Sequence, residues 1–97
     1  MDHQYFENLL QAVLAAYQED LAWHEKHWAE LDDFMRTEFL TVDLPDAARR
    51  LSILQAAVSS GELSPELIER LRLAEEIVSA AASRLQILRR SMNGRHE

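Results

Sequence analysis

The residues best suited to bind a metal are two histidines spaced three apart, His24 and His27. On a helix this spacing places both imidazoles on about one side, near the carboxylates of Asp20 and Glu30, and such donors bind zinc or iron. The di-iron helical motif needs a glutamate three residues before a histidine, and neither histidine has one. We therefore expect no metal and no other cofactor, and we interpret His24 as a packed side chain.

Covalent catalysis and phosphate binding have no support in the sequence. The absence of cysteine excludes disulfides and thiolate zinc sites. The serines fall in predicted helix caps or on predicted helices, and no base or oxyanion loop accompanies them. Gly61 and Gly94 are isolated, so neither belongs to a glycine-rich loop that surrounds a phosphate. We predict that the protein is not an enzyme.

The net charge of −7 is divided unevenly along the chain. Residues 1–46 carry eleven acids against two bases, whereas residues 47–97 carry six acids against eight arginines. Two interpretations stay open: the acidic first helix packs against arginine-bearing helices, or it offers an acidic face to a basic partner.

A cluster of arginines near the C-terminal end of the chain raises the question of nucleic-acid binding. Basic residues at the end of a helix favour its negative dipole end, which is reason enough for such a cluster. The net charge, the single lysine and the lack of a helix-turn-helix motif argue against a nucleic-acid partner. The cluster consists of Arg84, Arg89, Arg90 and Arg95.

The sequence shows no signal for a membrane or for secretion. No apolar run approaches the ~18 residues of a membrane span. The first residues lack a basic segment followed by an apolar one, which a secretory signal would require. We expect a cytoplasmic protein with no membrane partner.

Apolar spacing predicts a first helix over residues 4–39, because apolar side chains recur at alternating steps of four and three. Such a helix would be about 50 Å long. Its main stripe consists of Phe6, Leu10, Val13, Tyr17, Leu21, His24, Trp28, Leu31 and Met35. A second, adjacent stripe consists of Tyr5, Leu9, Ala16, Trp23, His27 and Phe34.

Cap residues predict two further helices. Asp43 reads as the N-cap of a helix over about 44–60, Gly61 as its left-handed C-cap, and Ser64 as the N-cap of a helix over about 65–92. Their predicted buried residues are Leu44, Ala47, Leu51, Leu54 and Val58 in one, and Leu67, Leu71, Ala74, Val78, Ala81, Leu85, Leu88 and Met92 in the other. The predicted fold is all-α: one domain over residues 1–97, an elongated chain of a long, a short and a long helix that forms a helical bundle.

The two long helices carry more apolar surface than one neighbouring helix covers. The third helix has a second stripe of its own, formed by Leu73, Ile77, Ala80 and Ile87. We therefore expect a homodimer or a stable complex with a helical partner protein. The predicted function is that of a small acidic, non-catalytic adaptor, export-type chaperone or anti-activator that binds its partner by helix packing. The predicted partner-binding residues are Tyr5, Trp23, His27 and Phe34.

The order of a long, a short and a long helix resembles the AroQ class of chorismate mutases. The stretch 63–71, which reads LSPELIERL, is similar to the start of that family's third helix, and Ser79 falls about where the family carries a serine. The likeness covers residues 44–92. It implies an alternative function as a helical enzyme that binds a dicarboxylate between cationic side chains. The candidates for that cationic cluster are Lys26, Arg36, Arg49 and Arg50.

The chain departs from the AroQ pattern at the residues that would bind substrate. Its first helix has no arginine or lysine before Lys26, and Asp46 and Ala47 stand where the family has an Arg-Glu pair. Electrostatic stabilisation is the main contribution of such a site, so the enzyme is the disfavoured alternative. In size and acidity the chain also resembles flagellar and type III secretion export chaperones, which clamp an amphipathic helix of their client.

Overall fold

The computed structural model describes residues 3–94, which form three helices and no strand within that range. The first, α1, covers residues 3–30, the second, α2, residues 33–59, and the third, α3, Pro65–Gly94. Two of them contain a wide, π-helical turn. The segments of α1 are His3–Leu14, the wide turn Ala15–Asp20, Leu21–His27 and the tight turn Trp28–Glu30. Those of α2 are Asp33–Glu38, the wide turn Phe39–Asp43 and Leu44–Ser59.

The helix predicted over residues 4–39 is wrong at its end, because the chain leaves the helix at Leu31 and Asp32. Both residues have extended backbone, and the Asp32 side chain accepts a hydrogen bond from the Met35 amide at 2.8 Å. Asp32 is therefore the N-cap of α2. Asp43, predicted for that role, has helical backbone and makes no side-chain cap. The three helices have 28, 27 and 30 residues, so the long, short, long order is also corrected.

A buried arginine holds the corner between α1 and α2. The Nε of Arg36 donates a hydrogen bond to the Trp28 carbonyl at 2.8 Å, and its guanidinium carbon lies 5.6 Å from the centroid of the Trp28 ring. The Trp28 Nε1 in turn donates to the Ser91 Oγ of α3 at 2.9 Å. Arg36 is only 7% exposed. The Trp28 carbonyl, near the end of α1, also accepts a hydrogen bond from the Leu31 amide at 3.3 Å. We call the side chains of Trp28, Arg36 and Ser91 the Trp28 corner.

The turn between α2 and α3 matches its sequence prediction. Gly61 has φ of 76°, the left-handed conformation that glycine adopts without steric cost. The amides of Gly61 and Glu62 donate to the carbonyls of Val58 and Ala57, which is the Schellman pattern. The Ser64 Oγ accepts from the Leu67 amide at 3.3 Å and caps α3.

One hydrophobic core joins the three helices and confirms most of the predicted stripes. Its best-buried side chains include Leu10, Val13, Leu21, Phe39, Leu44, Leu54 and Leu67. Met35, predicted on the main stripe of the first helix, is 42% exposed because it follows the corner and belongs to α2. The molecule measures 49 × 20 × 20 Å, which confirms the elongated shape.

Two ion pairs show how the helices run. The Arg70 Nη1 of α3 donates to the Glu7 Oε1 of α1 at 2.6 Å, and Arg84 makes a two-armed contact with Glu25 further along both helices. Contacts therefore advance in the same direction on α1 and α3, which run parallel, and α2 runs back in the opposite direction. Glu7 and Glu25 therefore follow the first of the two interpretations of the charge division: the acidic first helix packs against a helix that carries arginines.

The Glu25–Arg84 pair makes stability depend on pH. The hydrogen bond from Arg84 holds the pKa of the Glu25 carboxyl below its ordinary value of 4.5. A carboxyl whose pKa is lowered by folding stabilises the protein above its unfolded-state pKa, and this contribution is lost as the pH falls through the lowered value. We expect stability against urea to fall below about pH 4.5, and Glu25→Gln to reduce that acid-side slope.

The matched control is Glu19→Gln, because Glu19 is exposed and makes no ion pair among residues 3–94. Urea unfolding of both variants between pH 3 and 7, a range that spans the ordinary carboxyl values, compares the two slopes. Equal slopes in the two variants would contradict a role for the Glu25–Arg84 pair.

Within the described chain, none of the three helices combines the length and the apolar character that crossing a bilayer requires.

Candidate partner-binding surface

The four predicted partner-binding residues all retain exposed surface, but the structure does not bring them together. Tyr5 and Trp23 are each 46% exposed, Phe34 is 72% exposed, and His27 is half-buried. Tyr5 and Trp23 lie eighteen residues apart on α1, which is about 27 Å along the helix. Phe34 follows the corner and lies on α2. A single compact patch does not contain all four.

Trp23 and His27 form a pair on α1. Their rings stack with centroids 4.5 Å apart, and the His27 Nδ1 donates to the Trp23 carbonyl at 2.9 Å. His24 stacks instead on Phe39 of α2, with ring centroids 3.7 Å apart, and its Nδ1 donates to the Asp20 carbonyl at 2.7 Å. Both histidines are thus occupied in helix and ring contacts.

His24 was predicted as a packed side chain on the main stripe of the first helix, and its ring packs against Phe39 of α2. Among residues 3–94, no three or more His, Cys, Asp and Glu side chains gather into a group suited to hold a metal ion.

Tyr5 lines a groove at the far end of the molecule. The groove has a volume of about 580 Å³, and Ile53 of α2, which is 37% exposed, lies on its other side. The rest of its lining consists of Phe6, Ala56, Ala57, Ser60 and Glu62. Glu62 is the charged side chain of this lining; it makes no ion pair among the described residues and accepts a hydrogen bond from the Ser60 hydroxyl. The groove therefore offers one acidic group to orient a partner.

Phe34 begins a continuous outer surface of α2. Two depressions of about 370 and 470 Å³ adjoin along this helix and share Thr41 and Val42 in their walls. Val42 is 56% exposed and is, with Phe34, the main apolar residue of the surface. We call this surface the Phe34 face and define it by six residues: Phe34, Thr37, Glu38, Thr41, Val42 and Pro45.

The wide turn in α2 keeps the Phe34 face straight. Phe34, Glu38 and Val42 follow one another at intervals of four residues, and each such step drifts 40° around a regular α-helix of 3.6 residues per turn. The wide turn Phe39–Asp43 rotates less per residue, so it reduces this drift. The exposed side chains consequently form a line rather than a spiral.

Proline explains why the helix widens at this point. Pro45 has no amide hydrogen to donate to the Thr41 carbonyl, and its ring would collide with that carbonyl in a regular α-helix. The wide turn immediately before it accommodates the ring, and α2 continues to Ser59. The sequence prediction ended one helix at residue 39 and began the next at about residue 44, and it therefore missed Val42 and Pro45 as parts of one surface.

The Phe34 face is bordered by acidic side chains. Glu38 and Asp43 are exposed and make no ion pair among the described residues. Asp46 differs, because it pairs with Arg49 and Arg50 of its own helix. One unpaired carboxylate, Glu38, therefore lies between the two exposed apolar side chains, and a second, Asp43, follows Val42; this combination complements a basic, amphipathic segment.

The cations named for the alternative enzyme do not converge. Arg36 is buried at the Trp28 corner, and Arg49 and Arg50 lie about 20 Å further along α2, paired with Asp46. Lys26 is exposed on α1.

The arginine cluster near the end of α3 is only partly free. Arg84 pairs with Glu25, and Arg89 and Arg90 are exposed. Arg95 lies outside the described residues.

The chain matches no known protein-family model, and no similar curated protein or solved structure was found.

Proposed function

We propose that this protein is a non-catalytic binding module that holds an amphipathic, basic helix of a partner protein against the Phe34 face. The observation that carries the proposal is the exposure of Phe34 and Val42 in one line with unpaired carboxylates beside them. Exposed aromatic anchors surrounded by polar residues are typical of sites at which truncation costs most binding energy.

The spacing of the apolar residues fits a helix lying along α2. Phe34 and Val42 are eight residues apart, about 12 Å along the axis, and the apolar side chains of an amphipathic helix recur at i and i+7, about 10.5 Å apart. Two anchors of the partner can therefore pack against both residues at once. Lysines of that helix would meet Glu38 between the two anchors and Asp43 next to Val42, which would set its orientation.

A synthetic amphipathic helix of leucine and lysine tests this proposal by calorimetric titration. We expect Phe34→Ala to weaken binding about tenfold, because it removes the largest exposed anchor. Phe34 is an exposed residue, so the substitution leaves the core intact. The matched control is Ile68→Ala, since Ile68 is 40% exposed on α3 and belongs neither to the Phe34 face nor to the stripe of Leu73, Ala80 and Ile87. Equal affinity of the two variants would overturn the proposal.

Non-specific attraction between a basic peptide and an acidic protein needs its own control. Glu38→Gln and Glu19→Gln change the net charge equally, and both replace an exposed, unpaired carboxylate. Binding through the Phe34 face predicts that only Glu38→Gln weakens affinity appreciably. If Trp23→Ala weakens binding more than Phe34→Ala does, the surface around Trp23 and His27 is the docking site instead.

We also propose that the chain self-associates. After the three helices have packed, α3 still presents Leu73 at 48% exposure and Ile87 at 63% exposure. Isolated apolar residues are normal on a surface, but these two belong to one stripe with Ala80, and such stripes are buried in helix dimers.

A further inference from the structure

The outer stripe of α3 has the seven-residue spacing of a helix-pairing seam. Leu73, Ala80 and Ile87 are each separated by seven residues, an interval over which a straight helix drifts only ~20°. All three are exposed. The stripe extends about 21 Å along α3, and the small side chain at its centre allows another helix to approach closely.

The charges of α3 are divided between its halves. Residues 65–79 carry four glutamates and two arginines, a net charge of −2, whereas residues 80–94 carry three arginines and no acid, a net charge of +3. Two parallel copies of α3 would place like charge against like charge. Two antiparallel copies would place the acidic half of each against the basic half of the other.

We infer that two copies of this chain pair through the Leu73, Ala80 and Ile87 stripes of α3, antiparallel, with the two-fold axis at Ala80. This inference rests on the self-association proposed above and assigns its surface and direction. A two-fold axis at residue 80 places Leu73 opposite Ile87 of the partner copy. The same alignment places the acidic half of each copy beside the basic half of the other.

Engineered cysteines test the geometry, because the chain contains no cysteine of its own. Ala80→Cys should form a disulfide-linked dimer under mild oxidation, since the axis brings the two thiols together. Ala82→Cys is the matched control: it is the same replacement at an exposed position on the same helix, about 200° around the axis. We expect this variant to stay unlinked.

Mixing two further variants tests the direction of pairing. Leu73→Cys and Ile87→Cys should cross-link with each other when mixed, and neither should link to itself. Self-linking of each variant would show parallel pairing and overturn the inference. Cross-linking of Ala82→Cys as fast as Ala80→Cys would also overturn it.

Light scattering separates failure of this interface from failure of self-association. The mass of the unmodified chain should rise from 11.2 kDa toward twice that value between low and high micromolar concentration, and Ile87→Glu should keep it at the monomer value. If Ile87→Glu still forms a dimer, the proposal of self-association stands but the assignment of its surface to the α3 stripe is overturned. A constant monomer overturns both.

Discussion

Replacement of Arg36 by methionine is expected to destabilise the folded protein by about 3 kcal/mol, although arginine is ordinarily a surface residue. Methionine fills most of the volume but cannot donate a hydrogen bond. The Trp28 carbonyl would then lose the 2.8 Å hydrogen bond from Arg36 and keep only the longer one, 3.3 Å, from the Leu31 amide, in a corner where Arg36 is 7% exposed. The contact of the guanidinium with the Trp28 ring would also be lost.

Urea unfolding followed by tryptophan fluorescence measures this effect. Arg49→Met is the matched control, because Arg49 lies on the same helix but its side chain is 72% exposed and pairs only with Asp46. Exposed pairs of this kind contribute about 0.5 kcal/mol or less. Equal losses in the two variants would contradict a structural role for the Trp28 corner.

Truncation of Leu10 to alanine is expected to cost about 3 to 4 kcal/mol of unfolding free energy, because the side chain is fully buried in the common core. The loss combines the apolar area returned to water with the cavity that remains. The same truncation of Leu73 should cost about 0.5 kcal/mol at a concentration where the chain is monomeric, since Leu73 is 48% exposed.

The two variants make the same leucine-to-alanine substitution at a buried and at an exposed position. Chemical unfolding at low micromolar concentration measures both, with the unmodified chain as reference. A loss for Leu73→Ala that matches the loss for Leu10→Ala would show that α3 buries its outer stripe within one chain. The inferred seam would then be part of the monomer core.

Much of the fold follows from local pattern. The stripes through Leu10 and Leu21 on α1, and through Leu67 and Leu71 on α3, predicted buried residues because helical spacing fixes which side chains share a face. Gly61 was also predictable, since glycine at a helix end favours the left-handed conformation. In each case the signal lies within a few residues of the feature.

The corner could not be placed in this way. Asp32 and Asp43 are both good N-cap residues, and local preference does not choose between them. The choice depends on a contact over eight residues, in which Arg36 satisfies the Trp28 carbonyl, and on a contact with α3 through Ser91. Contacts of this kind between distant residues produce no periodic pattern in the sequence from which they could be predicted.

Only part of the Phe34 face could be predicted from the sequence, because its alignment also depends on the tertiary path of the chain. Phe34 was predicted as a partner-binding residue from its position on a surplus stripe of the first helix, a helix that ends before it. Val42 was not predicted as a partner-binding residue, because it falls between the end of the first predicted helix and the start of the second. Only the continuity of α2 through the wide turn Phe39–Asp43 aligns Val42 with Phe34.

The most direct test of the Phe34 face is a map of amide chemical shifts during titration of the isotopically labelled protein with the leucine–lysine helix. Working at low protein concentration keeps self-association from contributing. The proposed function predicts that the largest shifts fall within residues 33–49 of α2. Shifts concentrated at Tyr5, around Trp23 and His27, or along the outer stripe of α3 would contradict it.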